Sequence, residues 1–204
     1  MSNIQQVRTL TTNFSTYQGL KGVPLGLLLS IISLWASAQT GPAKSILFPL
    51  SCSLVFIYLY WVVHRFYMRI FGTVMLTRKQ KMVEVLRGFV LGTAALAAFW
   101  IDVSLQPAFS MLGLVFAGSF LLEYLRIHQQ SKERLLLFYP AAALFLILLS
   151  VLPIMGINWW NPLGIKALII GICTVAGLLI AVLGVLVHIS LENILQQPME
   201  LNHE

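Results

Sequence analysis

The chain has 204 residues, 58% of them hydrophobic and only 10% charged, with a formal net charge of +6 and a mean hydropathy of +0.86. Soluble domains carry about a quarter charged residues to cover their surface, so a water-soluble globule of this length is excluded. The positive charge then belongs to loops facing an anionic membrane surface rather than to a basic soluble fold.

A hydrocarbon layer ~30 Å thick is crossed by about 20 apolar residues in a helix. Ahead of the first such run, Ile4, Val7, Leu10, Phe14, Tyr17 and Leu20 line one helical face and predict an amino-terminal interfacial helix within 1–22. The Thr- and Asn-rich "TLTTNFST" inside it supports an irregular segment equally. Six apolar segments follow, over 23–40, 46–66, 88–102, 107–125, 135–152 and 165–189. None alternates apolar and polar residues as a barrel wall does. The predicted fold is therefore an all-α membrane protein, a single domain of six transmembrane helices over 23–189, with a tail over 190–204 that continues the sixth helix for about a turn before Pro198. The first segment also resembles a secretory signal, with Lys21 ahead of it and Ala36-Ser37-Ala38 as a small-residue cleavage site. Cleavage would leave five spans; the 22 residues preceding the apolar run are long for a leader and favour six.

Charge predicts the orientation. With a cytoplasmic amino terminus, the inner side collects Arg8, Lys21, Arg65, Arg69, Arg78, Lys79, Lys81, Arg87, Arg126, Lys132 and Arg134, and the outer side only Lys44 and Lys166. By the positive-inside rule both termini are expected in the cytoplasm, with the protein multi-pass in the inner (plasma) membrane and Trp159 and Trp160 at the outer interface.

Small residues allow helices to approach in lipid. Gly22, Gly26, Ser30 and Ser33 form one stripe, Gly88, Gly92 and Ala95 another, Ser110, Gly113 and Ala117 a third, and Gly177, Ala181 and Gly184 a fourth. Packing within one compact bundle explains them; contact with another subunit is the sharper reading, and the Gly88/Gly92 pair is the one that invites it. The fifth segment is bulky beyond its Pro-Ala start and reads as lipid-facing or as a broad partner surface, with a kink expected at Pro140.

Chemistry is sparse. Cys52 and Cys173 lie within spans and fit packing roles, and no phosphate loop, paired-His metal motif or nucleophile elbow occurs. No enzyme activity, metal or nucleic-acid partner is expected. Asp102, closing the third span, reads as solvated or as a cap on the following turn. Glu123 falls inside the inner hydrocarbon boundary, where a carboxylate needs a partner; Arg126 three residues on is the nearest. His64, Arg87 and His188 fall at similar depth, so His64, Arg87, Glu123, Arg126 and His188 form an expected inner-leaflet polar cluster. His64 and His188 could alternatively ligate a haem iron or a chlorophyll magnesium from two helices, although interfacial histidines are commonplace. Between the second and third spans, Phe71, Val74, Met75, Met82, Val85 and Leu86 leave an apolar side beside "TRKQK", predicting a short interfacial helix. Its basic residues Arg65, Arg69, Arg78, Lys79 and Lys81 would reach acidic headgroups or a docking partner.

The stretch "HRFYMRIFGTV" resembles an aromatic-basic Arg-Tyr-Tyr-x-Arg-x-Phe-Gly-x-Val pattern of small uncharacterised bacterial membrane proteins, matched by Arg65, Tyr67, Arg69, Phe71, Gly72 and Val74 and departed from at Phe66. The resemblance implies a bacterial plasma-membrane protein and no particular activity. The architecture is also similar to the membrane subunits of ATP-binding-cassette exporters, which implies a second-to-third connector that docks a cytoplasmic ATPase; the fifth-to-sixth connector here is too short for their re-entrant outer helices. Three functional expectations follow: a non-enzymatic integral subunit that builds or anchors a larger membrane complex with other membrane subunits, a permease subunit, or a pigment- or haem-carrying subunit.

Overall fold

The computed structural model of the chain describes residues 19–37, 47–71, 78–105, 107–128, 137–155 and 165–196. Among them are six α-helices: α1 (Gly22–Ser37), entered through a 3-10 turn at Gly19–Lys21, α2 (Leu47–Phe71), α3 (Arg78–Leu105), α4 (Met111–His128), α5 (Phe138–Val151), which tightens into a 3-10 turn at Leu152–Met155, and α6 (Ile165–Gln196). Five stretches are long and apolar enough to cross a membrane: Gly19–Ser37, Leu47–Arg69, Lys81–Leu105, Phe138–Met155 and Leu168–Ser190. The protein is thus a multi-pass membrane protein. The fourth helix is not among the five; its final turns carry Glu123, Arg126 and His128. The predicted amino-terminal interfacial helix, the outer Trp159/Trp160 pair and the tail beyond Gln196 lie outside the described residues.

The closest packing joins α1 to α6. Gly19 lies against Gly184, Gly26 against Gly177, and the Ser30 hydroxyl donates to the Thr174 carbonyl at 2.9 Å. Rising numbers on one helix meet falling numbers on the other, so the pair is antiparallel. The seven-residue Gly spacing on both helices keeps the two small-residue faces in register over two turns. A Cβ on Gly26 would stand 2.7 Å from the Ala181 nitrogen, and one on Gly177 would stand 2.9 Å from the Ser30 nitrogen; real Cβ atoms do not approach backbone so closely. Gly22 meets the Ile180 side chain at ordinary contact distance.

The main core lies where α4, α5 and α6 converge. Ala117 and Phe120, Ala142, Ala143 and Leu146, and Ala176 and Leu183 are buried together. A second cluster of Ala98, Leu112 and Ile169 ties in α3. The fifth segment, expected to be lipid-facing or a broad partner surface, does both jobs: one face of α5 is core, because its alanines let it sit tightly on α4, while Leu144, Phe145 and Leu148 on the other side are exposed. The expected kink at Pro140 is absent, because α5 begins at Phe138. The proline then falls in the first turn, where its missing N–H has no intrahelical partner to lose. Helix α2 is the least buried element, with no buried residue in its most apolar stretch. It is clamped at its ends. Trp35 stacks on Phe48 with centroids 6.3 Å apart, and Tyr67, fully buried, reaches Leu20 and His188 at the other end.

The third helix starts at Arg78, well ahead of the expected 88, and runs unbroken to Leu105. Arg78, Lys79 and Lys81 are therefore its first turns and not a separate interfacial helix. Arg, Lys, Gln, Met, Glu and Leu are all strong helix formers, so nothing in the basic run interrupts the helix. Gly88 and Gly92 face open space: a Cβ on either would meet nothing within 4 Å.

These contacts set apart two classes of glycine. Gly26→Ala or Gly177→Ala is expected to destabilise the detergent-solubilised protein by about 1–3 kcal/mol, the range of overpacked cores, read as a lowered Tm. Gly88→Ala and Gly92→Ala should leave the Tm unchanged or raise it.

Candidate functional site

Polar groups gather at the two ends of the bundle, and the ends differ in kind. At one end Asp102, on the last turn of α3, is completely buried. Its carboxylate accepts from the Ser110 hydroxyl at 2.6 Å, from the Met111 N–H at 2.7 Å and from the Leu112 N–H at 3.0 Å. The Ser110 hydroxyl in turn accepts from the Gly113 N–H at 3.3 Å, and the Ser110 N–H donates to the Ser150 carbonyl at 3.1 Å. A helix start leaves four N–H groups without intrahelical partners, and in hydrocarbon each orphan is costly. Here all four, from Ser110 to Gly113, are satisfied by α3, α5 and the cap residue itself. Gly113 is required at this junction because a Cβ would collide with the Ser150 hydroxyl. Of the two expectations for Asp102, solvation is corrected, because the residue is buried, whereas the expected cap on the following turn is present, at the start of the next helix. This end is chemically spent.

The other end carries the charge. Glu123 on α4 is bound by Arg87 on α3. Arg126 lies 3.7 Å from Glu123 and 3.9 Å from Glu84. The expected Glu123–Arg126 partnership is present but secondary, because Arg87 reaches the carboxylate directly from the neighbouring helix. These groups rim a groove of about 560 Å³ into which every helix projects, including Lys21 from the turn before α1, Tyr60 from α2, Tyr139 from α5 and Ile180 from α6. Such a volume falls within the ~300–1,000 Å³ of small-molecule sites.

His188 does not join that rim. Its Nδ1 lies 2.8 Å from the Tyr67 hydroxyl, with the two rings edge to face at 5.7 Å, and the Leu20 N–H donates to the same hydroxyl at 3.4 Å. Tyr67 therefore latches the ends of α2 and α6 to the turn that enters α1. His64 is exposed and lines a separate shallow groove with Trp61, Arg65, Met68 and Arg69, where the Arg65 guanidinium stacks 4.0 Å over Trp61. The expected five-residue cluster is accordingly split: Arg87, Glu123 and Arg126 come together, His188 pairs with Tyr67, and His64 stands apart. Arg78, Lys79 and Lys81 are exposed or at the surface of the first turns of α3. Among the described residues no group of three or more His, Cys, Asp or Glu could hold a metal ion, and Cys52 and Cys173 are free thiols.

Charge placed Lys21 on this side of the membrane, but sequence reasoning did not bring Glu84 or Tyr67 into the polar cluster. The signals were present: Glu84 is the one acid in the basic run, two turns from Gly92, and Tyr67 is a phenol inside an otherwise basic and apolar helix end. Asp102→Ala is expected to lower the unfolding free energy by about 2–3 kcal/mol, as buried donors lose a charged acceptor, whereas Ser104→Ala on the same turn should have no measurable effect. A double-mutant cycle of Arg87→Gln and Glu123→Gln should show a coupling of about 1–3 kcal/mol, read from detergent melting curves; additive losses would mean that the two residues act independently.

Comparison of the chain with protein-family models, with curated proteins and with solved structures finds no match.

Proposed function

We propose that the protein is a non-enzymatic integral membrane subunit that helps to build or anchor a larger membrane complex, with all six helices spanning the bilayer and the basic end in the cytoplasm. The 18 residues of α4 rise about 27 Å, enough to cross nearly the whole hydrocarbon layer. Lys21, Arg65, Arg69, Arg78, Arg87 and Arg126 lie towards one end of the alternating bundle, which supports that orientation by the positive-inside rule.

The observation that carries the subunit reading is α2. A 25-residue helix is clamped at its two ends and left without a buried residue through its apolar middle, where Leu54, Ile57 and Tyr58 are each more than 60% exposed. Apart from Lys21 and Arg126 at the groove, the polar groups named above are by contrast committed to structure: Asp102 to capping, Tyr67 and His188 to latching, Arg87 and Glu123 to each other. An enzyme or ion-coupled carrier would hold such groups in reserve along a path. The helix packing offers a long adhesive surface instead.

A photo-crosslinking residue at Ile57, with one at Val182 on α6 for comparison, tests this in native membranes. A discrete adduct to another integral membrane chain from position 57, with the same chain co-purifying at fixed ratio in mild detergent, is the expected result. Recovery of the protein alone and colourless, with only lipid adducts from position 57, would sink the subunit reading. A haem or chlorophyll absorbance band would instead bring His64 and His188 forward.

A further inference from the structure

We propose that the groove at the basic end binds the phosphate of an anionic membrane lipid, with Lys21 and Arg126 as its cationic contacts and an acyl chain lying along the open side of Gly88. This inference is independent of whether the protein is a subunit of a complex.

Charge is the first reason. Three cations, Lys21, Arg87 and Arg126, face two carboxylates, Glu84 and Glu123, around the same groove, leaving one positive charge over. Arg87 is committed to Glu123. Arg126 stands 3.7 and 3.9 Å from its two carboxylates, whereas short charge-assisted N–H to oxygen bonds are about 2.7–2.9 Å, so its donors are not saturated by them. Lys21 feels the charge of Glu84 across the groove but makes no ion pair at contact distance among the described residues. Cations held at a hydrocarbon boundary call for an anion, and the one that a membrane surface supplies there is a lipid phosphate.

Shape is the second. The groove joins that charged rim to apolar wall from Leu25, Leu91 and Ile180, an arrangement suited to an amphiphile and of no use to a soluble anion. One wall is rigid, because Gly19 and Gly184 meet backbone to backbone. The opposite wall is open, because Gly88 lines the groove and a Cβ on it would meet nothing within 4 Å. Space at Gly88 is therefore not needed for the packing of this chain, and filling it tests occupancy of the groove without touching the core.

Native mass spectrometry of the full chain in detergent, titrated with phosphatidylglycerol, phosphatidylcholine or water-soluble glycerol phosphate, decides the matter. One phosphatidylglycerol should bind tightly, and phosphatidylcholine and glycerol phosphate at least about tenfold more weakly. Lys21→Gln should weaken phosphatidylglycerol about tenfold, the loss of one charge-assisted contact. Gly88→Leu should abolish the tight site while its Tm in lipid-free detergent matches that of the unsubstituted chain. Equal binding of phosphatidylcholine would show that the net charge is not read, and equal binding of glycerol phosphate that the apolar wall is not used; either overturns the proposal. So does unchanged phosphatidylglycerol affinity in Lys21→Gln, which breaks no ion pair of the described residues and decides the question even if Gly88→Leu misfolds.

Discussion

The backbone approach of α1 and α6, glycine on glycine at Gly26 and Gly177, is the contact on which the arrangement of the other helices rests. In lipid there is no hydrophobic gain from burying one apolar face against another, because hydrocarbon already surrounds both; association depends on close packing and on hydrogen bonds that only close approach permits. The glycines bring the Ser30 hydroxyl within 2.9 Å of the Thr174 carbonyl. They also fix where α1 begins relative to where α6 ends. That register sets Leu20 beside Tyr67 and His188, and sets Lys21 at the mouth of the groove. Larger residues at Gly26 would push α1 outward and carry both features with it.

The two polar ends show what a bilayer demands and what it permits. The Asp102 end faces a backbone problem, since a helix start has four donors that lipid cannot satisfy, and the solution recruits α3, Ser110 and the Ser150 carbonyl of α5 until none is left over. Full satisfaction leaves none of the four donors from Ser110 to Gly113 free for a ligand. At the basic end the charges belong to side chains, and side chains can be partnered unevenly. Arg87 and Glu123 neutralise one another; Lys21 does not share in that pairing. A basic residue in the first turns of a helix also works against the macrodipole, which favours acids there, so Arg78, Lys79 and Lys81 contribute nothing to α3 by their position. Their place is explained by the surface they face.

Five of the six expected spans were legible because hydropathy over about 20 residues is a strong signal, and so were the Gly26 and Gly177 faces, since small residues at helical spacing have few other uses in lipid. The stripes did not reveal which faces meet. Gly88 and Gly92 have the same pattern as Gly22 and Gly26, yet α3 turns them to open space, a difference made by Ala98 and Leu112 packing elsewhere on α3 and α4. Pro140 misled because its effect depends on how far it lies from a helix start, and a start inside a continuous apolar run has no polar cap to mark it; Leu137 makes no side-chain cap. Asp102 at a span end already points to a cap on the following turn, but its partners lie eight to ten residues ahead, across a turn whose geometry no local rule predicts. Glu123 was recognised as needing a cation, and proximity in sequence pointed to Arg126. The cation that binds it, Arg87, is distant in sequence and near only because α3 runs unbroken through the basic stretch.

That continuity links the two surfaces of the protein. Were the basic run a separate helix lying in the interface, Glu84 and Arg87 would leave the bundle and the groove would lose one wall. As a continuous extension of α3, the run leaves Arg78, Lys79 and Lys81 exposed at its start while Glu84, Arg87 and Gly88 line the groove beside α4. The same helix thus places surplus cations at the surface and an open glycine face just beneath them, a polar rim above an apolar slot. An amphiphile lying along the bilayer normal has that same division between head and chain, and α3 presents both halves in the order in which the lipid offers them.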